Sequence, residues 1–471
     1  MGVLLALLGL VAPLVLAGCS RGSAIPSRDA SARTFADCAR VACSGALGSG
    51  DSYRIELPRI WNGTLLLYSH GYRPAAPLPP DYAQVSTAAD VAPDDVVADH
   101  LLESGYALVG YAQSRNGWTV RDSLDAADRL YSLFRSEVGV PARVYTWGES
   151  IGGMVSELLA EQRSWVSGTA PFCGLLAGTN LNQDLALDAA VGVRTLLYPS
   201  EQLTGYASPA AAKATYEGAA YRIRAAAASG GAGLAKVLLI GALVQASEQS
   251  KSHDGATRTA RIAAVVENLL GALAVGIIGR PDLEERAGGN PSTNQAADYD
   301  ARVPDLKRAE IAELSGTSLA SVDALLARVD AAPRVAADQT ARTAVDRLGN
   351  PTGALRVPTV TLHTTVDPLA VPQNERVFAN LVGTAGTRTS DLLQLFTRPP
   401  TRFTGTAPYG AGHCAFTSWE QAGAIIALDR WVKTGNQPTV QDLAALLAGP
   451  DQTTGFIPVY QPGPWPALTG N

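Results

Sequence analysis

Arg143-Val144-Tyr145-Thr146-Trp147-Gly148-Glu149-Ser150-Ile151-Gly152-Gly153-Met154-Val155-Ser156-Glu157-Leu158-Leu159-Ala160 is the stretch whose reading decides the fold. Its first five residues are apolar and β-rich, and its last eight read as the start of a helix. Between them stands Gly148-Glu149-Ser150-Ile151-Gly152, a serine flanked by small residues at a sharp strand-to-helix turn. Such a turn holds its central residue at strained backbone angles and brings strand and helix so close that side chains at 148 and 152 would obstruct them. The strain lifts the serine hydroxyl out of the sheet and presents it to a base.

Working outward, strand and helix signals alternate on both sides of this turn. Tyr53–Leu57, Thr64–Ser69, Tyr106–Tyr111 and Val166–Phe172 read as strands, and Asp94–Glu103 and Val120–Val138 as helices. Alternation of this kind predicts an α/β fold, a mostly parallel sheet with helices on both faces. It stops near Gly178. From 179 to 350 the chain is Ala-rich and helical in pattern, with candidate helices at 208–228, 233–249, 257–278, 305–314 and 318–331. Strand character returns at Val357–His363 and Leu392–Phe396, followed by a helix over 418–434. The expected organisation is a leader over 1–19, a linker over 20–50, a core over 51–178, a helical lid inserted over 179–350, and the return of the core over 351–471.

A serine nucleophile needs a base, and the base needs an orienting acid. Of five histidines, His413 is the candidate base, in Tyr409-Gly410-Ala411-Gly412-His413-Cys414 after the last core strand. His100 falls within a helix, His253 in the insertion, and His363 at the end of a strand. The candidate acid is Asp367, in Thr365-Val366-Asp367-Pro368, past the carboxyl end of a strand, where open α/β sheets build their sites. Asp391 precedes its strand, on the wrong edge, and Asp184 is a second rival. The backbone N–H of Ile151 would supply one oxyanion donor. The N–H of Tyr72, in His70-Gly71-Tyr72 after the strand 64–69, would supply the other.

The chain has 471 residues, a formal charge of −6 and 46% hydrophobic residues, the profile of a globular protein with a substantial core. No basic surface invites a phosphate backbone, so nucleic acid is not an expected partner. Val3–Ala17 is almost wholly apolar and ends in Leu16-Ala17-Gly18-Cys19, which resembles the lipobox of bacterial lipoproteins, although Met1-Gly2 supplies no positive charge. It predicts export to the extracellular side or cell envelope, either as a lipoprotein with Cys19 lipidated and holding the protein to a membrane, or through a plain secretory signal or short anchor. No other run reads as long and apolar enough to span a bilayer. With Cys19 lipidated, Cys38, Cys43, Cys173 and Cys414 remain, an even set that allows three pairings or a reduced state. Export favours bridges. Cys38 and Cys43 could close one short loop, which leaves Cys173 with Cys414. No Cys/His spacing matches a metal site, and no cofactor is expected.

His70-Gly71, the elbow at 148–152, Asp367-Pro368 and Gly412-His413 together resemble the α/β-hydrolase superfamily, and look especially like its secreted actinobacterial members. The resemblance covers most of 53–178 and 351–435, with 179–350 resembling the lid that many members insert there. It implies the α/β-hydrolase fold and a Ser150–Asp367–His413 triad. The cysteine after His413 is similar in placement to that of the tannase and feruloyl-esterase group, where it bridges to a cysteine beside the nucleophile. Here position 149 is Glu, and Cys173 at the end of the next strand could take that place. The resemblance thus predicts a Cys173–Cys414 disulfide, with Cα atoms within about 7 Å.

The expected activity is that of a carboxylic ester hydrolase acting on a small-molecule or lipid-like ester through an acyl-enzyme. A serine aminopeptidase is the alternative, for which Glu267, Asp282, Glu284 or Glu285 of the lid are available to hold a substrate ammonium, unless they are ordinary solvated charges. A non-catalytic binding protein of the same fold is a third reading. The apolar runs Val237–Val244 and Leu269–Ile278 would line an acyl pocket, dock a lipid surface, or pack against one another.

Overall fold

The computed structural model describes residues 43–404, 410–450 and 452–467. The leader with Cys19, the linker up to residue 42 with Cys38, and Tyr409 lie outside the described residues.

Nine strands form one sheet: β1 (Cys43–Ala46), β2 (Ser52–Glu56), β3 (Thr64–Ser69), β4 (Ala107–Ala112), β5 (Arg143–Glu149), β6 (Gly168–Phe172), β7 (Thr359–Thr364), β8 (Leu392–Thr397) and β9 (Phe456–Ile457). Their order is β1-β2-β4-β3-β5-β6-β7-β8-β9. All pairings from β4 to β8 are parallel, and those at the two edges are antiparallel. This is the mostly parallel sheet with helices on both faces expected from the alternation of elements. Strands β3, β4, β6 and β7 are buried along their whole length, as strands covered on both faces must be. The two-residue period divides them between two apolar layers. Leu65 and Leu67 pack toward the helices Val120–Glu137 and Ile151–Gln162. Leu66 and Tyr68 pack toward Asp95–Glu103 and Ser418–Thr434.

Two edge elements depart from expectation. Cys43–Ala46, in the segment read as linker, pairs with β2 in the sheet. A four-residue run with three exposed positions carries no apolar period, so only its partner makes it a strand. Phe456–Ile457 closes the opposite edge against β8.

Among the described residues between Gly178 and Gly349 every regular element is a helix. Helices Gly178–Leu196, Arg280–Ala287 and Gln339–Gly349 were not among the candidates. The insertion has an apolar core of its own, rich in Ala, Leu and Val, that reaches the core domain at Val371. The run Arg258–Ala287 corrects the expectation that only the leader is apolar enough to cross a membrane: it spans 30 residues and qualifies by length and composition. Over half of its most apolar window is buried inside the protein, as in the central helix of a packed bundle. A π-helical turn at Ala274–Ile278 interrupts it.

Candidate active site

Strand β5 runs two residues further than its apolar pattern, through Gly148 and Glu149, and the helix Ile151–Gln162 begins directly after Ser150. Ser150 sits at φ 59° and ψ −124°, a conformation costing a non-glycine residue about 1–3 kcal/mol. The flanking glycines are sterically required. A Cβ at 148 would stand 2.2 Å from the Ser69 carbonyl oxygen, and one at 152 would stand 2.0 Å from the same atom. The Ser150 N–H donates to the Phe172 carbonyl at 3.0 Å, which ties the turn to β6.

Asp367 lies three residues past β7 and is buried. Its carboxylate accepts the Leu369 and Ala370 N–H groups at 2.9 Å, and the Cys414 N–H at 3.1 Å. His413 Nδ1 lies 2.9 Å from both carboxylate oxygens. Burial opposes the charge on Asp367, but His413, His363 and the Leu369 amide outweigh it and hold the carboxyl below its usual range. With Nδ1 donating to Asp367, the nitrogen left facing the cavity is Nε2, which lies 3.5 Å from Cys414 Sγ. Ser150, His413 and Cys414 line one cavity of about 340 Å³. Among the described residues Ser150 Oγ has no hydrogen bond to His413, a contact that in an unliganded site often forms only with substrate.

The His70-Gly71-Tyr72 loop crosses this turn: a Cβ on Gly71 would lie 3.6 Å from the Ser150 Cβ. Among the described residues neither the Tyr72 N–H nor the Ile151 N–H has an acceptor. His70 Nδ1 faces the Gly71 carbonyl at 2.6 Å and Nε2 faces Gln113 Oε1 at 3.0 Å. Burial lowers the His70 pKa to about 4, which keeps it neutral.

Cys173 and Cys414 form a disulfide with Cα atoms 5.4 Å apart. It ties the end of β6 to the residue after His413, and both cysteines have positive φ, 41° and 54°. Cys43 is also disulfide-bonded. The two bridged sulfurs, Asp367 and His413 converge within 4.8 Å, but bonded sulfurs cannot offer the thiolates that a metal would need.

The rival residues are engaged elsewhere. Asp391 pairs with Arg388, and Asp184 with Arg342 at 3.0 Å. His100 stacks on Trp419, and His253 meets Glu267 at 3.0 Å. His363 is fully buried in β7, with Nε2 2.8 Å from the Ala370 carbonyl, and so buttresses the Asp367 loop. The lid carboxylates do not line the cavity. Asp282 and Glu285 pair with Arg115, and Glu284 accepts the Gly205 N–H.

The far wall of the cavity comes from the insertion and is mostly apolar, with Leu185, Ala189, Val244, Ala272, Val275 and Gly276 beside the polar Asn182, Gln183 and Asn268. The two apolar runs therefore divide their roles. Most of Val237–Val244 and Leu269–Ile278 is buried in the bundle, while Val244, Ala272, Val275 and Gly276 face the cavity. Glu149 also lines it, noticed in the sequence only as the residue that displaces a cysteine. Its signal was available: a charged side chain directly before the serine of the turn.

No family model matches the chain, and no curated protein matches it in sequence. Among solved structures it is similar to an acylaminoacyl peptidase from Pyrococcus horikoshii (8% identity, TM-score 0.34), over 75% of this chain and 36% of that one. It is similar to a puromycin-hydrolyzing peptidase from Mycobacterium tuberculosis (12% identity, TM-score 0.37), over 85% and 40%. An esterase from Aspergillus oryzae matches at 14% identity and TM-score 0.38, over 84% and 80%. The chain thus spans well under half the length of the first two proteins.

Proposed function

We propose that the chain is a serine hydrolase that cleaves carboxylic esters, with Ser150 as nucleophile, His413 as base and Asp367 as the acid that orients it. The observation that carries this reading is the Asp367–His413 pair, with Nδ1 2.9 Å from both carboxylate oxygens, opening on the same cavity as a serine held at φ 59°. Ser150 Oγ attacks the acyl carbon while its proton passes to His413 Nε2. The Ile151 and Tyr72 N–H groups receive the oxyanion, each such donor contributing roughly 3 kcal/mol of barrier lowering. His413 then returns the proton to the departing alcohol. Water, deprotonated by the same nitrogen, releases the acid and frees Ser150. The reaction needs no cofactor.

Export accompanies this proposal. The leader-like 1–19 supports it, and so do the disulfides at Cys173–Cys414 and Cys43, which belong to an oxidising compartment. Lipidation at Cys19 would hold the enzyme at the cell envelope. The mostly apolar far wall of the cavity supports an acyl group of modest size as the part of the substrate that enters the lid. The aminopeptidase reading loses the lid carboxylates on which it rested.

A chain-length panel of p-nitrophenyl esters tests the proposal, run beside aminoacyl p-nitroanilides and with Ser150→Ala as control. Ester turnover that survives Ser150→Ala would remove Ser150 from its role. Amide turnover exceeding ester turnover would overturn the ester assignment.

A further inference from the structure

Glu149 stands directly before the candidate nucleophile, lines the same cavity, and has no hydrogen-bond or ion-pair partner among the described residues. It is half-buried, its carboxyl open to the cavity but crowded by protein, and an unpaired charge in such a partly desolvated site is costly. Two further carboxylates worsen its position. Asp94, the N-cap of the helix Asp95–Glu103, and Asp367, in the loop after β7, both repel its charge. Tyr68 on β3 is itself pushed up partly by Glu149, and His413 across the cavity is committed to Asp367. Burial first, and these two carboxylates second, raise the Glu149 pKa to about 8. Among the described residues, no Lys or Arg lines the cavity. The site therefore has a carboxyl poised to ionise, a second carboxylate behind it, and no cation of its own.

We propose that Glu149 is the counter-charge for an ammonium group on the substrate, so that this site selects esters or amides carrying a positive charge near the scissile bond. This inference rests on Ser150 being the nucleophile. A cation seated beside Glu149 supplies the missing partner and draws the carboxyl into its ionised form. A substrate carboxylate placed there would meet two negative groups and no donor cation. Two sources share this chemistry: a quaternary or primary ammonium on the alcohol side, and the free α-amino group of an aminoacyl substrate.

The experiment compares kcat/KM for butyrylcholine with that for its neutral isostere 3,3-dimethylbutyl butyrate between pH 6.5 and 9.5. A second arm compares leucine p-nitroanilide with its N-acetyl derivative. The fixed charge of choline does not titrate, so the choline ratio reports Glu149 alone and cancels the pH dependence of the triad. We expect the cationic ester to be preferred on the order of tenfold at high pH. The preference should grow as pH rises through about 8 and collapse toward one in Glu149→Gln. A preference confined to the anilide pair, and lost in Glu149→Gln, places the ammonium on the acyl side and still supports the proposal. Ratios near one on both arms, with the neutral ester turned over, overturn it. Should Glu149→Gln not fold, the pH dependence of the wild-type ratio decides, and a flat profile counts against the proposal. If neither ester is hydrolysed, the ester-hydrolase reading has failed instead. The inference is then read by calorimetry at pH 9, where choline should bind more tightly than 3,3-dimethylbutanol.

Discussion

A methyl group added at Gly152 would sit 2.0 Å from the Ser69 carbonyl oxygen, whereas one added at Gly271, on the helical insertion, would meet nothing within 4 Å. Gly152 belongs to a turn of closely packed backbone, Gly271 to the exposed side of an insertion helix. In the parallel core, reactive groups sit on strand ends and turns whose backbone atoms touch, so position is set by main-chain geometry and tolerates almost no change. In the insertion, helices meet through Ala, Leu and Val side chains, and the surface they offer the cavity is a matter of side-chain volume. Chemistry is therefore proposed to reside in the core, and substrate shape in the insertion.

The comparison can be broken at several points. The largest effect is expected at Asp367→Asn, which keeps the volume but no longer stabilises the imidazolium. kcat should fall roughly ten-thousand-fold with little change in thermal stability, measured on p-nitrophenyl butyrate beside a melting curve. A loss of only a few-fold would mean that the core does not carry the chemistry. Gly152→Ala should come next, because main-chain atoms cannot yield: a destabilisation of about 3 kcal/mol or more, read from urea unfolding. Reduction of Cys173–Cys414 should lower kcat by about tenfold to a hundredfold while leaving KM nearly unchanged. The bridge anchors the residue after His413 and shapes little of the acyl wall. An equal rise in KM would show the bridge shaping the pocket instead.

On the insertion side the effects should be smaller and of a different kind. Ala272→Phe narrows the cavity without touching the triad, so kcat/KM for octanoate should fall about tenfold relative to acetate. Equal losses on both esters would contradict the division of labour. Gly271→Ala should be the mildest change, a stabilisation of about 0.5–1 kcal/mol from helix propensity alone, with kinetics unaltered. A destabilising result there would mean that the insertion, too, is held by close backbone contact.

The contrast also explains what the sequence revealed. The Ser150 turn was readable because only glycine fits at 148 and 152, and glycine leaves a visible mark. Asp367 and His413 were placed by chain order and by their positions beyond strand ends, and the structure brings them within 2.9 Å. The strand Cys43–Ala46 was not readable, since four residues with no apolar period become a strand only by pairing with Ser52–Glu56. In the insertion, the helical character was plain but the boundaries were not. Gly178–Leu196 mixes Asn, Gln and Asp with its apolar residues, and it is buried on most sides because other helices surround it. The pairing of Asp282 and Glu285 was not readable for a related reason: Arg115 lies more than a hundred residues away, and no local pattern announces it.

By itself, then, the sequence determined what depends on backbone constraint and on the period of burial: the alternating core, the serine turn, the order of the acid and the base, and the helical character of 179–350. Only the tertiary structure decided what depends on distant partners. It removed Asp184, Asp282 and Glu285 from the site by pairing them elsewhere, and divided the apolar helices between packing and cavity wall. It also left Glu149 without a cation. A local pattern is written by steric rules that act over a few residues, whereas a charge is paired or stranded by whatever the rest of the chain brings beside it.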